Sequence, residues 1–173
     1  MQKTLLVPTD FSVPSLNALR LALEQVEEDQ SVDIVLMYAE WLDDSITELL
    51  FYSPKKRIES LKSAVFEEAL MILQNRFENR IASIRIELFH GYNTSAFHNF
   101  AQANQIDQVV ILQDYTFKPA KRGFDPSPLI KKSKLPIQYL ARKDQGSYFE
   151  ENQLQLLFNH WLLWKKHHHR PLH

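Results

Sequence analysis

The chain has 173 residues, with 20 Lys plus Arg against 21 Asp plus Glu, three glycines and no cysteine, a length that suits one compact domain with its own core. The missing cysteines exclude disulfides, thiolate metal sites, iron–sulfur ligation and a cysteine nucleophile. Gly91, Gly123 and Gly146 stand too far apart for G-x-G-x-x-G or G-x-x-x-x-G-K-[ST], and a formal charge of −1 speaks against a wholesale nucleic-acid footprint.

Thr4-Leu5-Leu6-Val7-Pro8 is apolar, too short for a helix and ended by proline, which predicts a strand buried on both faces. Ser12 is positioned to cap the next helix and Pro14 suits its first turn, with Leu16, Leu19, Leu23 and Val26 at helical spacing. Val32 to Tyr38 is β-branched and apolar and predicts a second strand. A brief helix is expected over 44–51, stopped by Pro54, then one long amphipathic helix from Lys55 to about Asn79 carrying Ile58, Leu61, Val65, Ala69, Leu73 and Phe77. Ile84, Ile86 and Leu88 alternate with Arg85 and Glu87, the period of a half-exposed strand, and are expected at a sheet edge. Gly91 makes a turn, and Asn93 or Thr94 caps a short helix with Phe97, Phe100 and Ala101. Val109 to Leu112 is a buried strand, 113–126 a loop, 128–134 a short helix, and Leu135 to Leu140 a fifth strand whose proline argues for the other edge. Strands alternating with helices predict an α/β fold, a doubly wound parallel sheet with helices on both faces.

Leu6-Val7-Pro8-Thr9-Asp10-Phe11-Ser12 followed by Ser15-Leu16-Asn17-Ala18-Leu19 resembles the opening strand and helix of the universal stress protein family. Phe89-His90-Gly91, then Phe97, Ala101, Ile106, Asp107, Val109 and Val110, resembles that family's third strand, turn, helix and fourth strand. Leu129-Ile130 through Leu135-Pro136-Ile137 resembles its closing helix and strand. The resemblance covers residues 1–143 and implies five parallel strands in the order 3-2-1-4-5. A crevice then opens between strands one and four, at the switch in strand order where open α/β sheets bind ligands.

The same resemblance implies a candidate cofactor pocket of Thr9, Asp10, Ala39, Leu112, Gln113, Gly123 and Phe124, with Asp10 contacting base or ribose and Tyr38 and Ala39 beside the base. ATP-binding members carry G-x-x-G, nine further residues, then G-[ST], because glycines let backbone amides approach a phosphate closely. Leu112 and Tyr115 occupy the first two glycine places here, Gly123 matches the last but precedes Phe124, and the intervening segment is shorter. The motif is degenerate, so no cofactor is expected. The alternative is ATP, AMP or a small anion held by Asp10 and the Lys118–Arg122 loop, with Lys118, Lys121 and Arg122 as candidate anion contacts.

Asp10 and Asp114, both after central strands, are the one pair that would tempt a phosphoryl-transfer or weak ATPase reading, yet no catalytic motif frames them. The expectation is therefore a non-enzymatic stress-response or regulatory binding domain. Lys131, Lys132 and Lys134 lack the aromatic interleaving of a nucleic-acid surface, and no nucleic-acid partner is expected. No apolar stretch reaches the ~18–20 residues of a membrane span and no signal peptide opens the chain, which points to a cytoplasmic protein with no membrane partner. Residues 144–173 form a separate extension in which Ser147 and Glu150 make a capping box. Leu154, Leu157, Phe158, Trp161 and Trp164 then give one apolar face of a helix that needs a partner surface, its own domain, a second copy or another protein. The terminal histidines define no closed metal geometry. Homodimerisation through the edge at Ile137–Leu140 is carried over from the family resemblance.

Overall fold

The computed structural model describes residues 2–42 and 45–141, without the side chains of residues 47 and 48. Five parallel strands, β1 (Lys3–Pro8), β2 (Val32–Ala39), β3 (Ile81–Phe89), β4 (Gln108–Leu112) and β5 (Ile137–Leu140), lie in the order β3-β2-β1-β4-β5. The expected α/β architecture, its strand order and both edges are those observed. Among the described residues six helices connect and flank the strands: α1 (Leu16–Glu24), α2 (Ile46–Phe51), α3 (Pro54–Leu61), α4 (Ala64–Arg76), α5 (Thr94–Ala103) and α6 (Ser127–Lys132).

The inner strands are apolar because both of their faces are covered. Leu6, Val35, Met37, Val109 and Ile111 point to one face and form a cluster with Phe97 and Ala101 of α5 and Ile130 of α6. Their neighbours Val7, Ile34, Leu36 and Tyr38 point to the other face, where Phe11 packs its ring 5.1 Å from Tyr38 and 5.2 Å from Phe66 of α4. β3 carries only half-buried or exposed side chains until Phe89, as an edge strand should.

The single helix expected from Lys55 to Asn79 is two. α3 ends at Leu61, Lys62 takes an extended conformation, and Ser63 caps α4 by accepting from the Phe66 amide at 3.2 Å. Apolar spacing runs through the break, so periodicity alone misses it. Ser12 precedes a 3-10 turn at Val13–Ser15 but its hydroxyl does not cap that turn; it is drawn to Asp10 instead. The cap expected at Asn93 is present, with its side chain accepting from the Ala96 amide at 2.8 Å. The C-terminal extension with its helix, and the expected helix start at Asp44, lie outside the described residues.

Phe66 is fully buried against Phe11. Phe66→Ala is expected to lower the unfolding free energy by about 3–5 kcal/mol, read as a lower urea midpoint at an unchanged m-value.

Candidate functional site

Pairing between β1 and β4 covers Leu5–Gln108 and Leu6–Val109, while β1 stays paired with β2 as far as Pro8. Beyond Leu6 the crevice therefore opens on the β4 side, and Asp10 stands at its mouth just past β1. The turn holding Asp10 is built from short polar bonds. Thr9 continues β1 by donating its amide to Met37 at 2.9 Å, and its hydroxyl pairs with Ser15 at 2.8 Å and accepts from the Phe11 amide at 3.1 Å. Phe11 adopts φ 60°, an uncommon backbone state for a bulky residue. Its buried ring, packed on Tyr38 and Phe66, offsets that strain.

Asp10 is 8% exposed and its carboxylate accepts four hydrogen bonds. Oδ1 takes the Ser12 amide at 3.0 Å and the Ser12 hydroxyl at 2.6 Å; Oδ2 takes the Tyr115 hydroxyl at 2.6 Å and the Lys118 amide at 2.7 Å. Burial by itself would push the carboxyl up, but the hydroxyls of Ser12 and Tyr115 and the two amides outweigh it and hold the group below its ordinary value. Two of these donors come from the loop after β4, and that loop continues across the sheet. The Ala120 amide donates to the Tyr38 hydroxyl at 3.2 Å, the Trp41 amide to the Arg122 carbonyl at 2.9 Å, and the Phe124 amide to the Ala39 carbonyl at 3.0 Å. Glu40 and Gly123 form an antiparallel bridge, and the Phe124 ring lies 4.5 Å from that of Trp41. The loop thus runs from β4 over the end of β1 and locks onto the end of β2.

Gly123 allows this crossing. A Cβ there would overlap the Tyr38 hydroxyl and come within 2.6 Å of the Pro119 side chain. Among the candidate pocket residues, Thr9, Asp10 and Ala39 sit under the loop, Leu112 is buried at the end of β4, and Phe124 packs on the core. Gln113 is exposed and donates its amide to Leu140 at 3.0 Å. Lys118 reaches Asp10 through its backbone, while the side chains of Lys118, Lys121 and Arg122 are exposed. Asp114 is exposed as well and forms no pair with Asp10.

A second polar cluster, missed in the sequence, caps β2. Glu40 is 1% exposed and binds Arg57 of α3 through Nε at 2.8 Å and Nη2 at 2.7 Å. Removing one partner of such a pair typically costs about 3–5 kcal/mol, because it strands the other charge. His90, just past β3, has Nδ1 at 3.3 Å from the Glu40 carbonyl and Nε2 at 2.7 Å from the Tyr52 hydroxyl. A carbonyl only accepts, so Nδ1 carries the proton of the neutral ring and Nε2 accepts from the Tyr52 hydroxyl, whose single proton is shared between Nε2 and the Glu40 Oε1 at 3.4 Å. Burial holds the His90 imidazole below its ordinary value, against the pull of Glu40. Burial and the Glu40 charge push the Tyr52 phenol up to about 12. The one sequence signal was a glutamate ending an otherwise apolar strand, beside a histidine ending the neighbouring one. Among the described residues no three His, Cys, Asp or Glu side chains gather as a metal site requires, and no helix is long and apolar enough to cross a membrane.

A doubly wound parallel sheet with an acid at the carboxyl end of its central strand, facing the loop after β4, defines an α/β domain with a switch-point crevice. Residues 1–113 match the model of the Universal stress protein family, and the chain belongs to that family. Among solved structures it is similar to a crystallised hypothetical protein, with 17% identity and a TM-score of 0.51 over 84% of this chain and 100% of the other. It is also similar to the universal stress protein UspA from Lactobacillus plantarum, with 15% identity and a TM-score of 0.50 over 80% and 97%. A third is a universal stress family protein from Arabidopsis thaliana with AMP bound, at 14% identity and a TM-score of 0.45 over 82% and 93%. At these identities the likeness is one of fold. No curated protein matches the chain.

Two predictions follow from the protonation of these groups. Tyr115→Phe removes one hydrogen bond to an ionised carboxylate and should lower stability at pH 7 by about 1.5–3 kcal/mol. As pH falls below the ordinary carboxyl value of about 3.9, the unfolded chain protonates before folded Asp10 does, so the stability contributed by Asp10 declines until pH passes its lowered value. The deficit of Tyr115→Phe should therefore shrink over that acid range in urea titrations. His90 acts higher: below about 6.5 the unfolded chain binds the proton that buried His90 resists, and stability falls as pH drops. His90→Gln should flatten the slope of thermal midpoint against pH between about 7 and 5.

Proposed function

We propose that this protein is a non-enzymatic stress-response or regulatory binding domain whose switch-point crevice is filled by its own β4–α6 loop, so that it does not hold ATP in the usual family manner. One observation carries the reading: both oxygens of Asp10, the acid the family resemblance assigns to base or ribose, are already committed, Oδ2 to the Tyr115 hydroxyl and the Lys118 amide. A nucleotide at Asp10 would have to break two short bonds to an ionised group and lift a loop that is also anchored on Tyr38, Ala39 and Trp41. The amides of Lys118, Ala120 and Phe124, which would have to turn toward phosphates, are spent on the protein. Phosphoryl transfer lacks support for the same reason, since Asp10 has no oxygen to spare for a metal ion.

The second reading, a nucleotide or small-anion sensor, draws on the exposed Lys118, Lys121 and Arg122 side chains along that loop; in it the ligand competes with Tyr115 for Asp10. The binding domain is proposed to end at residue 143, with 144–173 as an extension offering a surface to a partner. Homodimerisation is proposed at the β5 edge, where Tyr139 is 45% exposed.

Calorimetry with ATP and AMP, with and without magnesium, tests the reading. The expected outcome is no saturable binding tighter than about 1 mM, equivalent to about 4 kcal/mol. Micromolar binding that disappears in Asp10→Asn would overturn it in favour of the sensor.

A further inference from the structure

Glu40 presents a physical puzzle that the crevice does not use. A carboxylate buried at the end of an apolar strand is expensive, and a well-packed apolar pair in place of it and Arg57 is often as stable or more so. What the pair does is hold an arginine still. Both donating contacts, from Nε and Nη2, go to the same oxygen, Oε2, which fixes the guanidinium plane and leaves Nη1 without a partner among the described residues. Arg57 lines a cavity of about 370 Å³, at the lower end of the range for small-molecule sites.

The cavity is lined by apolar and by charged groups, among them the buried Glu40 carboxylate, which Arg57 holds through Oε2. Trp41, Leu49 and Phe51 supply the apolar and aromatic part of the lining and are 48%, 48% and 82% exposed. Lys56, Arg57 and Arg122 supply the cations of the lining. A negative group bound at Arg57 meets a guanidinium already positioned for it, so little rotamer freedom is lost on binding. Trp41 is fixed at the same time, because its amide is held by Arg122 and its ring lies against Phe124.

We infer that this cavity is a binding site for a small organic anion, a carboxylate or phosphate monoester head carried on a flat apolar body, with the head on Arg57 and Lys56 and the body against Trp41, Leu49 and Phe51. It lies beside the β2 end of the crossing loop and does not depend on whether the Asp10 crevice takes a nucleotide.

The probes are 2-naphthoate and 2-naphthyl phosphate, with 2-naphthalenemethanol and 2-naphthylmethylammonium as neutral and cationic counterparts, titrated into the full chain by calorimetry and amide chemical-shift mapping. At least one of the two anions is expected to saturate with a Kd of about 10–500 μM, shifting the Trp41 and Arg57 amides, and to bind at least about tenfold more tightly than the alcohol. The better of the two identifies the head group. Lys56→Gln, exposed and outside the buried pair, should weaken it several-fold. The double change Glu40→Gln with Arg57→Gln, which strands no charge, should abolish it while thermal unfolding confirms the fold. Equal affinity for the alcohol would reduce the site to an apolar patch, tighter binding of the ammonium would reverse its sign, and no saturation by either anion would remove it. Any of these overturns the inference, and none bears on nucleotide binding at Asp10.

Discussion

A carboxylate taken out of water must be given donors, and the way Asp10 obtains them decides the shape of everything above the sheet. Its own turn supplies the Ser12 amide and hydroxyl; the other two bonds come from residues more than a hundred positions away, Tyr115 and Lys118. A loop with one glycine and no regular structure would ordinarily be free to sample many paths. This one is pinned at Asp10, at Tyr38 and at the end of β2 in turn, and each anchor shortens the chain left to wander before the next. Every donor to Asp10 is neutral, so its charge is stabilised without being cancelled, and the crevice keeps a negative group where a triphosphate would bring more negative charge.

The neighbouring strand meets the same demand by the opposite means. Glu40 ends β2 with a cation, Arg57, and the α2–α3 segment is thereby tied down to the sheet through that pair and through Tyr52 on His90. The two solutions divide the carboxyl end of the sheet into a half over β1 where an anion is held by neutral donors and a half over β2 where a guanidinium borders a cavity. The crossing loop is the wall between them: it gives its amides to Asp10, Tyr38 and Ala39, and presents the Arg122 carbonyl to Trp41.

The sheet was legible because burial writes itself into composition. Strands covered on both faces read as apolar runs, β3 alternates because one side is wet, and Pro136 marks the outer edge. The helix break at Lys62 was not legible, since Leu61 and Val65 keep helical spacing across it and only the Ser63 cap distinguishes two helices from one. Ser12 misled for a related reason: a serine before a proline-led turn has the form of a cap, but an unsatisfied carboxylate two residues earlier is the stronger acceptor for its hydroxyl. Asp10 could be singled out from its place after the first strand. Its partners could not, because nothing local to Tyr115 or Lys118 says which acceptor they will meet. The Glu40, Tyr52, Arg57 and His90 cluster was hidden likewise, being assembled from the ends of two strands, the end of α2 and α3, which only the fold brings together.

Gly123 and Tyr115 show why motif residues have to be weighed by what they touch. Retention of the last motif glycine looks like a remnant of phosphate binding, yet here its missing side chain is required by Tyr38, whose hydroxyl a Cβ would overlap. The glycine is explained by loop packing and carries no information about a ligand. Tyr115 is the converse. At a place where family members that bind ATP have glycine, it does more than obstruct: its hydroxyl takes up Oδ2 of the acid that a nucleotide would need. In the function proposed above, loss of the cradle and closure of the crevice are one event in one side chain, and returning glycine to that position would remove the Tyr115 hydroxyl bond to Asp10 that ties the loop down. On that proposal a phosphate site would still have to be rebuilt from amides that this chain spends on Asp10, Tyr38 and Ala39, so the segment after β4 is to be understood by the loop structure it forms and not only by the motif residues it lacks.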